Sequence, residues 1–270
     1  MSGQRVLVVG GSGAIGGVVA STLLDAGWTV VATARSAARL ASLAGRGAGA
    51  EAFDLGDAAG AGRLADALSR RFDGALDGLV VTAGGYGPIG ATRSVNLEAL
   101  ARSLDENVLG VLRLVQALAP LLDAGRSPSI VLLSGGGATA PLPRYTAYAL
   151  SKVATVRLVE NLAAEEPAWK VNAVAPGFVA SAIHQATLAA GPDSAGEMYE
   201  RTLRDMDRAV EPALAAELVT FLLGPESEGI TGRLISAAWD PWRESAGLAE
   251  LRQGDFGRLR RIDGQRVLER

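Results

Sequence analysis

The chain has 270 residues, 49% of them hydrophobic and 20% charged, and 26 basic against 29 acidic side chains leave a net charge of -3. No cationic surplus is available to meet a phosphate backbone, so nucleic-acid binding is not expected. With no cysteine and a single histidine, His184, a disulfide framework, a thiolate nucleophile and a His- or Cys-built metal centre are excluded.

Arg5 leads directly into the apolar run Val6 to Val9, without the charged flank, longer apolar block and cleavage site of a signal peptide. No apolar run approaches the roughly 18 residues of a membrane span. The expectation is a soluble, cytoplasmic protein with no membrane partner.

Seven short, β-branched apolar runs recur along the chain, at 5–9, 29–33, 50–53, 79–82, 129–133, 170–174 and 233–236. They are apolar throughout rather than alternating, as in strands covered by helices on both faces. Helical stretches separate them at 15–24, 61–71, 96–122, 148–165 and 212–222, with Pro120 expected to kink or end the third. This alternation predicts a single doubly wound α/β domain with a mostly parallel, seven-stranded sheet. It spans residues 1–237. Within it, 178–210 is a long excursion at the carboxyl end of the sixth strand, where substrate lids sit. A C-terminal extension, 238–270, opens near Trp239-Asp240-Pro241-Trp242 and closes in a basic, amphipathic stretch; the two tryptophans are expected to pack on this subunit or a neighbour.

The first strand is followed by Gly10-Gly11-Ser12-Gly13-Ala14-Ile15-Gly16, in which Gly11, Gly13 and Gly16 have the Gly-x-Gly-x-x-Gly spacing. Glycines there permit a tight turn and let backbone N–H groups at a helix N-terminus approach a pyrophosphate. In a chain with 34 glycines the spacing is also compatible with a purely structural turn, and the strand-turn-helix context is what favours a dinucleotide. About 20 residues onward, an acid at the end of the second strand would select NAD. Here the strand runs out through Thr33-Ala34-Arg35-Ser36, and Arg35 is able to fork onto a 2′-phosphate, which favours NADP(H) over NAD(H). Asp54, after the third strand, either accepts from an adenine amino group or caps a turn.

Only two of the basic residues are lysines, Lys152 and Lys170, and there are four tyrosines. In Tyr148-Ala149-Leu150-Ser151-Lys152 one of each lies a helical turn apart, on one face. An ammonium beside a phenol favours the phenolate and brings a group of pKa near 10 toward working pH, as a general acid or base requires.

Together with Val81-Thr82-Ala83-Gly84 (where the family has Asn-Asn-Ala-Gly), Asn107 in Glu-Asn-Val-Leu-Gly, and Pro176-Gly177, these motifs make residues 5–237 resemble the short-chain dehydrogenase/reductase family, in its Tyr-x-x-x-Lys branch. The resemblance implies a Rossmann-like sheet, a nicotinamide cofactor, a small-molecule carbonyl or alcohol substrate, and a homotetramer or homodimer. It implies Tyr148 as proton donor, Lys152 as the group that lowers its pKa and binds the nicotinamide ribose, and Asn107 as a member of a water relay. Pro176, Gly177 and Ser181 are the implied nicotinamide contacts. Gly10, Ser12, Gly13, Ile15, Gly16, Arg35, Ser36, Asp54, Leu55, Ala83 and Gly84 complete the implied cofactor contacts.

One position departs from the pattern: Gly135 stands where the family carries its catalytic serine. Ser134, one place earlier, replaces it only if a bulge in Gly135-Gly136-Gly137 re-aims its hydroxyl, because a one-residue shift reverses the face of a strand; otherwise Ser134 is a strand-end hydroxyl bonded to backbone. Thr139 is another possible donor. The gap keeps open an imine or enone reductase with the same cofactor, and a catalytically silent nucleotide-binding regulator. His184 either orients substrate or packs the lid. No Gly-x-Ser-x-Gly turn exists to partner it in a hydrolase.

Overall fold

The computed structural model describes residues 3–260 together with 262–263 and 266–267. Seven parallel strands, β1 (Arg5–Val9), β2 (Thr29–Ala34), β3 (Gly49–Ala52), β4 (Gly78–Val81), β5 (Ser129–Leu133), β6 (Lys170–Ala175) and β7 (Arg233–Ser236), form one sheet in the order β3-β2-β1-β4-β5-β6-β7. The order reverses beside β1, the switch point at which doubly wound sheets open a crevice at their carboxyl edge.

Alternate residues of each strand feed two cores. Leu7, Val9, Leu79, Val81, Ile130 and Leu132 face the layer of α3 (Gly60–Arg71), α5 (Gly110–Asp123) and α6 (Thr146–Glu165), where Leu68, Leu118 and Val156 meet them. Val6, Val8, Val80 and Val131 face the other layer, where Val19 and Leu23 of α1 (Ala14–Asp25) pack with Leu218 and Leu222 of α9 (Pro212–Leu223). Burial on both sides is why the strands read as unbroken apolar runs. A short helix, α2 (Ala41–Gly45), links β2 to β3.

The helix expected over 96–122 is interrupted. Asn96 caps α4 (Leu97–Leu104) by accepting from Ala99 N at 2.8 Å, and a π turn over Asp105–Leu109 leads into α5. Pro120 does not end α5, which continues to Asp123. Gly110 opens α5 because any side chain there would drive into the Leu55 carbonyl, so the helix closes on the loop after β3.

The excursion after β6 forms α7 (Ala182–Ala195), broken at Gly191 (φ 75°), and α8 (Glu197–Met206). In the extension, Trp242 is buried, donates to the Ala237 carbonyl at 3.1 Å and packs on Phe221. Trp239, by contrast, is 74% exposed in the single chain. Next come α10 (Ser245–Gln253) and an antiparallel pair, β8 (Ile262–Asp263) with β9 (Arg266–Val267); the end of the basic stretch lies outside the described residues. Among the described residues no helix is long and apolar enough to cross a membrane, and no cluster of three or more metal-ligating side chains occurs.

Candidate active site

All seven strands being parallel, the loops that follow them gather on one edge of the sheet. After β1 the chain turns at Gly10 (φ 91°), where a Cβ would lie 2.7 Å from Thr82 Oγ1 and 2.8 Å from Ala83 N. A side chain on Gly16 would drive into the Gly10 carbonyl oxygen, so the turn tolerates glycine alone at both places. Gly13 donates to Gly10 O at 2.9 Å and is the N-cap of α1, with no side-chain cap. The N–H groups of Ala14, Ile15 and Gly16 therefore have no intrahelical acceptor, and Ser12 lies beside them. This donor set, at the positive end of a helix dipole, fits a dinucleotide pyrophosphate.

Arg35 and Ser36 follow β2 and are exposed; Asp54 follows β3. Between them opens a cleft of about 340 Å³, lined also by Arg63 and Leu64. Arg63 is paired with Asp57, whereas Arg35 makes no ion pair among the described residues. Asp54 closes a turn, its Oδ1 accepting from Gly56 N at 2.9 Å. Leu55 is buried against the start of α5.

Tyr148 and Lys152 occupy the N-terminal third of α6 and lie on one face of it. Lys152 Nζ is 5.3 Å from the Tyr148 ring centroid and donates to the Leu133 carbonyl at 2.8 Å. Opposite them, the π turn brings Asn107 against the loop after β4: Nδ2 donates to Gly85 O at 2.9 Å and to Ser103 Oγ at 3.2 Å, and Oδ1 accepts from Gly85 N at 3.1 Å. At Gly84, next to Ala83, a Cβ would sit 3.2 Å from Asn107 Oδ1 and 3.8 Å from Lys152 Nζ, so the three residues converge on one place. Burial pushes the Tyr148 phenol up to about 12 and the Lys152 ammonium down to about 8. The lowering of Tyr148 expected from its neighbour is thus not what the free chain displays: the ammonium lies toward the ring, and withdrawal from water dominates both groups.

Ser134, the residue before Gly135, bonds to the backbone. It is 3% exposed and its Oγ donates to the Lys152 carbonyl at 3.4 Å, while its amide stays in register with Val174 O at 2.8 Å. No bulge re-aims it, and strand alternation turns the next position toward Tyr148: the place a Gly135 Cβ would fill lies 2.8 Å from Tyr148 Oη. Thr139 is exposed and bonds weakly to the Gly136 carbonyl.

Pro176 and Gly177 follow β6, with Gly177 at φ 85° and close to Val210. Ser181 is the N-cap of α7, its Oγ 3.4 Å from His184 Nδ1. His184 is buried, stacks on Phe178 with centroids 4.0 Å apart, and has its pKa lowered by that burial; its surroundings describe a packing residue at the start of α7. Tyr86, which sequence reasoning passed over, stands edge-on to both Tyr145 and Tyr148, each at 4.8 Å. Its signal was an aromatic immediately after the Ala83-Gly84-Gly85 loop. Tyr145 Oη bonds Thr187 Oγ1 at 2.9 Å, and Met198 and Tyr199 of α8 pack against this aromatic cluster.

The family model described as enoyl-(acyl carrier protein) reductase matches residues 10–237. An uncharacterized oxidoreductase of Methylorubrum extorquens is 31% identical over 249 residues, covering 88% of this chain and 97% of the relative. The benzil reductase ((S)-benzoin forming) of Saccharomyces cerevisiae is 34% identical over 193 residues, covering 66% and 72%. Among solved structures, an actinorhodin polyketide ketoreductase with NADPH has a TM-score of 0.77 at 26% identity, covering 87% of this chain and 97% of that one. A short-chain dehydrogenase from Shigella flexneri complexed with NADP has a TM-score of 0.75 at 26% identity, covering 87% and 96%. With the strand order, the glycine turn and the Tyr148–Lys152 pair already in place, these similarities mean that the chain belongs to the short-chain dehydrogenase/reductase family and is an oxidoreductase of that type.

Proposed function

We propose that this oxidoreductase uses NADP(H) to interconvert a small, largely apolar ketone or aldehyde with its alcohol. The observation that carries the reading is the Tyr148–Lys152 pair at the same sheet edge where α1 offers unpartnered N–H groups. The cofactor, when bound, supplies the hydride. The N–H groups of Ala14, Ile15 and Gly16 hold its pyrophosphate, Arg35 forks onto the 2′-phosphate, and Pro176, Gly177 and Ser181 border the nicotinamide. Tyr148, protonated at neutral pH, gives its phenolic proton to the substrate oxygen in reduction and takes it back in oxidation. Lys152, fixed by the Leu133 carbonyl, favours the phenolate as the proton leaves, and Asn107 fixes the Gly84–Gly85 loop beside it. The ring of Tyr86, edge-on to Tyr148, makes the surroundings of the phenol apolar, which supports an apolar substrate, and the names of the benzil reductase and the polyketide ketoreductase support a ketone.

Following NADPH oxidation across a panel of ketones, aldehydes, imines and enones tests the reading; turnover of ketones or aldehydes that disappears in Tyr148→Phe is the expected result. A second reading, reduction of an activated alkene or imine, draws on Gly135, which leaves the phenol without a hydroxyl partner for a carbonyl oxygen, and on the description of the matching family model. Turnover confined to enones or imines would favour it. NADPH binding with no turnover anywhere in the panel would favour a regulator.

A further inference from the structure

We infer that Tyr145 is a positioning residue that fastens α7 to the start of α6, and that its hydroxyl thereby sets how tightly a substrate is held beside Tyr148. The inference rests on the reading of Tyr148 as proton donor. Tyr145 Oη and Thr187 Oγ1 are 2.9 Å apart, and both residues are fully buried. Thr187 lies in the first half of α7, whereas Tyr145 is the N-cap of α6, three positions before Tyr148. A bond between two buried hydroxyls leaves both without a partner when it breaks, which holds α7 in this seat.

A second tie comes from the neighbouring residue. Arg144 Nη1 donates to the Asp193 carbonyl at 3.1 Å, past the break of α7 at Gly191, and its side chain runs beside Gly196, where a Cβ would meet Arg144 Cγ and Nε at 3.6 Å. Arg144 does this from φ 74°, in the left-handed region that favours glycine, and its carbonyl accepts from Gly90 N at 2.8 Å. Two consecutive residues thus reach α7 on either side of its break. Packing carries the tie onward to the phenol: Tyr86 is edge-on to both Tyr145 and Tyr148, and Ile183 of α7 joins Tyr148 in the cluster built on these rings. Releasing Thr187 would therefore loosen the surroundings of the phenol on the α7 side and leave Tyr148 and Lys152 in place on α6.

The first test needs no substrate. Tyr145→Phe keeps the ring against Tyr86 and removes the bond, and Thr187→Val keeps the shape of its partner. Hydrogen exchange over residues 183–190 should quicken roughly tenfold in either variant, with exchange over 155–162 of α6 unchanged and Tm lowered by no more than about 4 °C. The double variant should exchange no faster than the quicker single one, because both changes remove the same bond. Unchanged exchange over 183–190, acceleration that spreads equally to 155–162, or losses that add would overturn the inference. The second test is kinetic: each variant should raise KM for a ketone or aldehyde about three- to thirtyfold with kcat within about threefold of the parent's. An unchanged KM, or a loss confined to kcat, would overturn it and leave Tyr145 a packing residue alone. If instead Tyr148→Phe retained parental kcat, the proton-donor reading would fall while exchange over 183–190 still reported on the tie.

Discussion

Lys152 spends its ammonium on the backbone: Nζ donates to the Leu133 carbonyl at 2.8 Å while lying 5.3 Å from the Tyr148 ring centroid. One polar partner does not replace the water it lost, and burial brings its pKa from 10.5 down to about 8. Between pH 8 and 10.5 the unfolded chain binds a proton at this residue that the folded chain has released, so folding stability rises with pH across that window. Lys170, also lowered chiefly by burial, adds a slope of the same sign. Above pH 10 the raised Tyr148 acts the other way, since unfolded phenols ionise first. Urea unfolding at pH 7.5 and 9.5 should show the protein more stable at the higher pH, by an amount on the order of 2 kcal/mol. Lys152→Met should remove most of that difference; an unchanged difference would mean the ammonium is solvated.

Tyr148→Phe removes the proton and keeps the ring against Tyr86. General acid catalysis contributes about 10²- to 10⁴-fold, and kcat for ketone reduction should fall by that much. NADPH affinity, measured by fluorescence titration, should stay within a factor of about two, because the phenol is not among the groups assigned to the dinucleotide. Near-parental kcat would remove Tyr148 from its role.

The fold was legible because its signals are local. Apolar runs such as Arg5–Val9 are unbroken since both faces of the sheet are buried, and the Gly10–Gly16 turn announces itself by sterics that act within a few residues. What escaped was decided by distant partners. The π turn over Asp105–Leu109 holds Asn107 against Gly85, 22 positions earlier, and nothing in the helical periodicity of 96–122 records that pairing. Tyr86 joins Tyr148 only when the β4 loop meets α6. The direction of the Tyr148 pKa turned on burial, which a Tyr-x-x-x-Lys spacing does not report. Ser134 could be weighed in advance only through strand alternation, and its Oγ donates to the Lys152 carbonyl at 3.4 Å.

Arg35 lies exposed at the exit of β2 and makes no ion pair among the described residues. A charge-assisted hydrogen bond to a 2′-phosphate contributes about 1.5 to 3 kcal/mol, so Arg35→Ala should raise the Kd for NADPH roughly tenfold to a hundredfold. The Kd for NADH, which has no such phosphate, should hardly move. Parallel titrations decide the matter, and equal losses for both cofactors would withdraw the NADP(H) assignment.

Asn107 and Gly85 exchange two hydrogen bonds across the turn, and Ser103 accepts a third from the same amide. Asn107→Ala would leave the Gly85 N–H and carbonyl without their partner in a part-buried place, a loss of about 1 to 3 kcal/mol that a shift in urea midpoint at constant slope would register. Ser103→Ala strands nothing on the loop itself and should cost less than half as much. Because the freed Gly84–Gly85 segment runs beside Lys152 Nζ, Asn107→Ala should also lower kcat by more than it raises the Kd for NADPH. A midpoint shift with unaltered kcat would confine Asn107 to holding the π turn, and leave positioning of the reactive groups to α6 alone.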